Sequence, residues 1–253
     1  MSLSFFQHFK IITFDHVKST NDFAMKLLKN NEAYNGDIIV AKFQDNGRGQ
    51  LDNSWFSSAG NNLLVSIICK DIQIKVSQLP VLNMLVSLAL YNVIDSFFPK
   101  QTFIKWPNDI LVDKQKIAGI LIETTLAGEL VKNAVVGIGV NINEEVFPND
   151  LPNACSFFTI HKGYQDIDLV LKMVLVQLDM QLCRLTQTPL TQIKNDFESV
   201  LFGMGVKRYF RTSEKRFSGI IKGITSEGQL EVEMDNKIKL FNHKEIAFDF
   251  SNN

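Results

Sequence analysis

Apolar and polar positions alternate with two different periods over the first 200 residues, which predicts an α/β domain. Ile38, Ile39 and Val40 form a β-branched run after Gly36, so residues 37–43 are expected to form a strand. Residues 20–29 have a helical period, with Thr20 or Asn21 as the cap. The other predicted elements are strands over residues 62–69, 103–106, 116–124 and 131–142, a buried helix over residues 79–98, and helices over residues 166–185 and 190–202.

The pattern changes after Gly205, where short alternating strands are separated by turn residues. Gly223, Gly228 and the pair at 235–236 mark the turns. About 45 residues of this kind predict a small barrel. The chain is therefore divided into a domain of residues 1–204 and a barrel of residues 205–253. The predicted barrel strands are residues 206–210, 217–224, 230–234 and 237–241.

Residues 143–160 contain two prolines and no clear period. They are expected to form a long loop, and long loops within compact domains are often functional.

Composition narrows the possible partners. The net charge of this 253-residue chain is -1, so it carries no bulk positive charge that would favour DNA or an anionic membrane. Its three cysteines form no CxxC pair, and its four histidines lack metal-ligand spacing. The N-terminus has no secretory pattern, and polar residues interrupt the longest apolar stretch. We expect a cytoplasmic protein with no DNA and no membrane partner.

One candidate anion site is the segment QDNGRGQ, which starts at Gln44. Gly47 and Gly49 allow backbone N–H groups to converge, and Arg48 adds a permanent charge suited to phosphate or carboxylate. An ordinary surface turn with a solvated arginine explains the same residues, so both interpretations stay open.

A second candidate is KWPNDI, which starts at Lys105. Pro107 ends a predicted strand and places Asn108 and Asp109 on a tight turn. Asp109 is suited to a magnesium ion or a ribose, and Lys105 to a phosphate. The alternative is a hairpin turn in which Asn and Asp bond to their own backbone.

Two glycine-containing strands follow. In KIAGILIE, Gly119 leaves space for a close approach, and Lys116 enters the strand beside that space; the alternative is a solvated surface lysine. In GIGVNIN, Gly137, Gly139 and Asn141 share one face of the sheet by the period of two. Asn141 either reads a ligand such as a base edge or bonds to backbone.

The string Ser19-Thr20-Asn21 is by itself typical of a helix N-cap. Together and in this order, however, the strings resemble the biotin–protein ligase family, from about Ser19 to the end of the chain. The strings are STN at Ser19, GRG with Trp55 and the later SSAGNNLLVS, KWPNDI, KIAGIL and GIGVNIN.

The resemblance implies a mixed-sheet α/β (α+β) catalytic domain related to class II synthetases, followed by an SH3-like barrel. It also implies the substrates ATP and biotin, with Mg²⁺ near Asp109, and a catalytic role for Lys116 and Arg48. The biotin-binding residues that it implies are Ser19, Thr20, Asn21, Gln44, Gly47, Arg48, Gly49, Gln50, Lys116 and Gly119. The nucleotide-binding residues that it implies are Arg48, Trp55, Lys105, Asn108, Asp109 and Asn141.

The sequence departs from the family pattern in the GRG segment. Gln50 and Asn53 stand where many members have arginine, and Asp52 stands where glycine or asparagine is frequent. Arg48, Lys105 and Lys116 are therefore expected to carry more of the charge around the triphosphate. Regulatory members also carry an N-terminal helix-turn-helix domain, and the 18 residues before Ser19 are too few for one, so DNA-binding repression is not expected.

The function that the resemblance implies is ATP-dependent activation of biotin to biotinyl-5′-AMP, followed by transfer to a lysine of a biotin carboxyl-carrier domain of acetyl-CoA carboxylase or a related carboxylase. Lipoate–protein ligase and a catalytically silent biotin-binding module are the alternatives. The sequence leaves a monomer and a homodimer both open.

Overall fold

The computed structural model describes residues 4–6, 9–50 and 53–250. In this part of the chain a mixed sheet has the strand order β1-β2-β3-β8-β7-β6-β5, with β4 beside β8. Strands β1 and β2 are parallel, and the other pairs are antiparallel. These strands are β1 (Lys10–Phe14), β2 (Asp37–Ala41), β3 (Leu63–Cys69), β4 (Ile74–Lys75), β5 (Thr102–Lys105), β6 (Asp109–Val112), β7 (Gln115–Ala127) and β8 (Leu130–Val140).

Helices cover both faces of this sheet, as the alternation of neighbouring residues shows. Ile38 packs into the large core with α2 and α4, whereas Ile39 packs into a smaller core with α1. The face that carries α1 is covered only in part, and the uncovered part is where the glycines of β7 and β8 lie. The helices are α1 (Thr20–Lys29), α2 (Leu79–Phe97), α3 (Phe157–His161), α4 (Ile167–Gln187) and α5 (Leu190–Ser199).

Helix α2, with the helical turn before it, is apolar enough to meet the length and hydropathy of a membrane span. Its apolar window has a mean hydropathy of 1.4, and 61% of that window is buried inside the protein. Leu82, Leu85 and Leu90 are fully buried. Within the described residues α2 is therefore the central core helix, as the sequence predicted.

The C-terminal residues form a second, antiparallel sheet of order β12-β11-β10-β9-β13. Its arrangement fits the predicted small barrel. The core runs on from the larger sheet, because Phe202 packs edge-on against Phe248 with ring centres 5.4 Å apart. The boundary between residues 204 and 205 stays a prediction. The strands are β9 (Lys207–Arg211), β10 (Arg216–Ile224), β11 (Leu230–Met234), β12 (Lys237–Phe241) and β13 (Ala247–Phe248).

Two local predictions were wrong, and one strand was missed. No element was assigned before residue 20, where β1 forms an edge of the sheet; Ile11 is half exposed, so the strand lacks a clear inward-outward alternation. The cap of α1 is Ser19, whose hydroxyl accepts from the Asp22 N–H. The expected loop of residues 143–160 ends in α3, because Ser156 and Thr159 form a reciprocal capping box without the usual Glu or Gln.

Three glycines on one face of β7 and β8 leave space for the side chains of two other residues. A larger residue at these positions would collide with those side chains. A Cβ at Gly137 would collide with Oδ1 of Asn21 on α1. A Cβ at Gly139 would lie 2.5 Å from Cε2 of Trp55, and one at Gly119 would lie 2.9 Å from Cζ3 of the same ring. The bare face therefore seats Asn21 and Trp55 directly on the sheet.

This packing predicts that Gly137→Ala destabilises the protein. Both sides of the contact are fixed, one by the sheet and one by the first turn of α1, so neither yields cheaply. We expect a loss of about 1–3 kcal/mol in the free energy of unfolding, as for other overpacked sites. Denaturant unfolding measures it.

The matched control is Gly163→Ala. A Cβ at Gly163 meets no atom within 4 Å, and its φ is not positive. This variant should unfold within about 0.5 kcal/mol of the parent. Equal stability of the Gly137→Ala and Gly163→Ala proteins would contradict the account of the bare sheet face.

Candidate functional site

A cavity of about 670 Å³ opens above the bare face of β7 and β8. The GRG segment borders one side of it, the hairpin between β5 and β6 another, and the C-terminal sheet a third. Most of the predicted site residues meet here. Those that line the cavity are Ser19, Thr20, Asn21, Gln44, Arg48, Gly49, Gln50, Trp55, Lys105, Asn108, Asp109, Lys116 and Gly119.

One end of the cavity is a connected set of polar side chains. The Gln44 carboxamide oxygen accepts from the Thr20 backbone N–H at 2.8 Å and from its hydroxyl at 3.1 Å. Ser66 Oγ lies 2.7 Å from Thr20 Oγ1 and 2.5 Å from Asn21 Oδ1. Asn21 donates its Nδ2 to Glu123 at 2.8 Å. These bonds fix the orientation of each amide and hydroxyl before any ligand arrives.

The GRG segment is attached to this polar end through Arg48. Its Nη2 donates to Glu123 on β7 and to Asp22 on α1, each at 2.7 Å. The Trp55 N–H donates to the Gly47 carbonyl at 2.8 Å, which closes the segment. The segment is thus held over the sheet from both of its ends.

Three buried polar atoms in this segment have no partner among the described residues: Arg48 Nε, Gln50 Oε1 and Trp55 Nε1. Buried polar groups are nearly always hydrogen-bonded, so three orphans on one cavity wall need an explanation. A polar ligand in the cavity would satisfy them.

The centre of the cavity holds two lysines around one carboxylate. Lys116 Nζ lies 2.6 Å from Asp109 Oδ1, and Lys105 Nζ lies 2.9 Å from Asp109 Oδ2. Burial alone would raise the pKa of Asp109, but Lys116 and Lys105 outweigh it, and the pKa is lowered. The carboxylate therefore stays ionised and keeps both ammonium groups pointed into the cavity.

The hairpin between β5 and β6 supplies Asp109, the carboxylate that pairs with both lysines. Lys105 and Asp109 are paired across it, so the alternative hairpin interpretation describes the backbone correctly. Asn108 is buried and donates its Nδ2 to the Ile120 carbonyl on β7. One turn therefore serves structure and site together.

Residues 153–155 hold the backbone of Lys116 in place. The Lys116 N–H donates to the Asn153 carbonyl at 2.6 Å, and the Cys155 N–H donates to the Lys116 carbonyl at 2.9 Å. Part of the loop predicted to be functional thus braces the strand entrance from which Lys116 projects.

Two predicted site residues are absent from the described lining of the cavity. Asn141 is buried and donates its Nδ2 to the Cys155 carbonyl at 3.0 Å, which is the backbone-bonded alternative. It therefore braces the loop in this conformation, and its contact with a base stays a prediction. Gly47 packs against Trp55, and a Cβ at position 47 would lie only 2.7 Å from the Trp55 carbonyl oxygen. Gly47 therefore permits the close packing of the GRG segment and does not line the cavity.

A magnesium ion near Asp109 stays a prediction. Both oxygens of Asp109 already bind ammonium groups, and no group of three His, Cys, Asp or Glu side chains suited to a metal occurs among the described residues. Of the residues that depart from the family pattern, Gln50 and Asn53 line the cavity, and Asp52 lies outside the described residues.

Sequence reasoning missed Ser66, Asp22 and Glu123. Ser66 is fully buried in the otherwise apolar strand LLVSIIC, and a lone hydroxyl in such a strand was a signal that could have been used. The carboxylates of Asp22 and Glu123 gave no signal, because acidic residues at a helix start and a strand end are ordinary. The cavity residues of the C-terminal sheet were missed because they are distant in the chain.

Comparison with known proteins places this site in a family. Residues 13–141 match the model of the biotin/lipoate A/B protein ligase family. The chain is 33% identical over 229 residues to the bifunctional ligase/repressor BirA of Bacillus spizizenii, covering 89% of this chain and 70% of that protein. It is 24% identical over 206 residues to the biotin–[acetyl-CoA-carboxylase] ligase of Mycobacterium tuberculosis, covering 80% and 75%.

Solved structures agree with the fold. The biotin protein ligase of Aquifex aeolicus in complex with biotin and ATP superposes with a TM-score of 0.79 at 24% identity, covering 95% of this chain and 98% of that one. The matched residues include the polar end, the GRG segment, both lysines of the centre and the bare face of β7 and β8. The chain therefore belongs to the biotin/lipoate A/B protein ligase family.

Proposed function

We propose that this protein is a biotin–protein ligase whose two steps both take place in the cavity over β7 and β8. In the first step the biotin carboxylate attacks the α-phosphate of ATP, the bond to the bridging oxygen breaks, and pyrophosphate leaves. In the second step an acceptor lysine attacks the carbonyl of biotinyl-5′-AMP and AMP leaves. The observation that carries the proposal is the pair of ammonium groups of Lys105 and Lys116 beside a polar, ligand-sized cavity.

Lys116 is assigned to the reacting centre. The biotin carboxylate and the α-phosphate are both anionic and repel each other before they bond. An ammonium group between them offsets that repulsion, and its attraction grows as charge develops on the phosphate oxygens. Asp109 keeps Lys116 oriented for this task in the absence of ligand.

Biotin is assigned to the polar end, with its ring toward Thr20, Asn21 and Gln44. Those side chains offer amide and hydroxyl groups in fixed orientations, which suits a neutral cyclic urea better than a charge. The disulfide ring of lipoate has no group to pair with them, and buried polar groups left unpaired discriminate strongly against such a ligand. This supports biotin over lipoate.

The described residues favour direct attack over a covalent enzyme intermediate. Cys155 is the cysteine next to Lys116 in space, and burial raises the pKa of its thiol to about 12. It is therefore protonated at neutral pH and a poor nucleophile. Positioning and charge stabilisation then account for the reaction.

Arg48 is assigned to retention of the activated intermediate. The mixed anhydride reacts with water or with any nearby amine, so the cavity must stay closed until the acceptor arrives. Arg48 ties the GRG segment to α1 and β7 through Asp22 and Glu123. The two salt bridges therefore work as a closure over the adenylate.

The acceptor is a lysine on a biotin carboxyl-carrier domain of acetyl-CoA carboxylase or a related enzyme, and the reaction takes place in the cytoplasm. Relatives named for this reaction support the assignment. Three free cysteines, two of them buried, fit a reducing compartment.

Lys116→Ala should lower the rate of adenylate formation on the order of 10²–10³-fold, because one preorganised charge is lost from a poorly hydrated site. Pyrophosphate release at saturating ATP and biotin measures this rate. A Lys116→Ala protein that is folded and forms biotinyl-AMP within a few-fold of the parent rate would remove Lys116 from the mechanism.

The matched control is Lys132→Ala. Lys132 is an exposed lysine on β8 that does not line the cavity. Its variant should keep the parent rate. Thermal unfolding of both variants separates chemistry from folding, since Asp109 retains Lys105 as a partner when Lys116 is removed.

Arg48→Ala should release activated biotin and label bystander lysines, because the closure over the anhydride is lost. The measurement is biotin incorporated into serum albumin relative to the carrier domain. Glu123→Gln removes a charge partner of Arg48 and should shift labelling in the same direction to a smaller extent. Labelling confined to the carrier domain in both variants, at the parent rate, would count against the closure.

A further inference from the structure

The C-terminal sheet contributes cationic groups to the catalytic cavity. Arg211, His243 and Lys244 line it together with Lys105 and Lys116 of the catalytic domain. With Arg48, the lining carries six basic side chains and two acidic ones among the described residues. The two acids are neutralised, Asp109 by its lysines and Asp249 by Arg216. The wall is therefore suited to a ligand with several adjoining negative charges.

The turn that presents two of these groups, residues 242–246, is preformed. The Glu245 N–H donates to the Asn242 carbonyl at 3.1 Å, and the Asn242 N–H donates to the Glu245 carboxylate at 2.7 Å. Lys244 has a φ of 75°, in the left-handed region where glycine is favoured. A lysine at such a position, on a turn that lines a cavity, points to a role in binding.

The position of this turn relative to the catalytic domain is also fixed. Trp106 donates its indole N–H to the Gly228 carbonyl of the C-terminal sheet at 3.0 Å. The same indole contacts the His243 ring edge-on, with centres 6.0 Å apart. Burial lowers the pKa of His243, Asp109 raises it, and Lys244 and Lys105 lower it, so the imidazole is neutral at pH 7.

The GRG side of the cavity offers little charge to a polyphosphate. Gln50 and Asn53 of the GRG side are neutral, and Nη2 of Arg48 is committed to Asp22 and Glu123. With the α-phosphate at Lys116, the rest of the triphosphate needs cations on another side. Arg211 and Lys244 supply cations on the side of the C-terminal sheet, and the neutral ring of His243 lines the cavity with them.

We propose that the 242–246 turn and Arg211 form the subsite for the β- and γ-phosphates of ATP and for the departing pyrophosphate. This rests on the proposed function and deepens it. Lys244 and Arg211 supply charge, and His243 supplies a ring N–H to a phosphate oxygen. The competing use of this wall is docking of the acceptor domain, which belongs to the other half of the reaction.

The two half-reactions separate these uses, because pyrophosphate takes part only in the first. The variants are His243→Ala, Lys244→Ala and Lys244→Gly, the last of which removes the charge and relieves the positive φ. Each should raise the KM for ATP or lower adenylate formation about tenfold, as expected for one charge-assisted hydrogen bond. Each should also weaken product inhibition by pyrophosphate. Transfer from presynthesised biotinyl-AMP to the carrier domain, and the KM for biotin, should be unchanged.

Lys239→Ala is the control, since Lys239 is an exposed lysine on β12 outside the cavity. Normal adenylate formation in Lys244→Gly and His243→Ala would overturn the proposal. Loss of the transfer step alone would also overturn it and would assign this wall to the acceptor domain. Equal loss of both steps would overturn it as well. Failure of the proposed function itself would show in the parent protein, which would then form no biotinyl-AMP.

Discussion

The site depends on the absence of side chains at three positions of one hairpin. Gly119, Gly137 and Gly139 leave the outer face of β7 and β8 bare, so Asn21 and Trp55 lie directly on the sheet. An ordinary strand face would have filled this volume with its own side chains. Without that space α1 could not bring its first turn to Glu123, and the GRG segment could not lie over the sheet. The cavity exists because the sheet leaves part of one face uncovered.

Two groups of ion pairs lie around that bare face. Arg48 pairs with Asp22 and Glu123 at the polar end, and Asp109 holds Lys105 and Lys116 at the centre. Each of these charges therefore has a partner before substrate arrives, which limits the cost of removing it from water when a ligand covers the site. An anionic substrate then competes for cations that are already oriented. This explains how one small cavity can hold a neutral ring, an acyl phosphate and a polyphosphate in sequence.

Much of this was predictable from local patterns, and the remainder depends on contacts between distant segments. Helix α2 and strands β3, β7 and β8 follow from apolar period and glycine placement, and the motif residues Thr20, Arg48 and Lys116 meet as expected. The backbone role of Asn141 was undecidable, because it depends on Cys155 returning to the same strand end. His243 and Lys244 were missed because only the fold brings them to the same cavity as Lys105 and Lys116.

The most direct test of the account is a crystal structure with a non-hydrolysable analogue of biotinyl-5′-AMP. The account predicts the biotin ring beside Thr20 and Asn21, the acyl-phosphate linkage at Lys116, and at least one of the buried orphan atoms of Arg48, Gln50 and Trp55 bonded to the ligand. An analogue bound outside this cavity, or bound within it with Lys116 still paired only to Asp109 and remote from the phosphate, would contradict it.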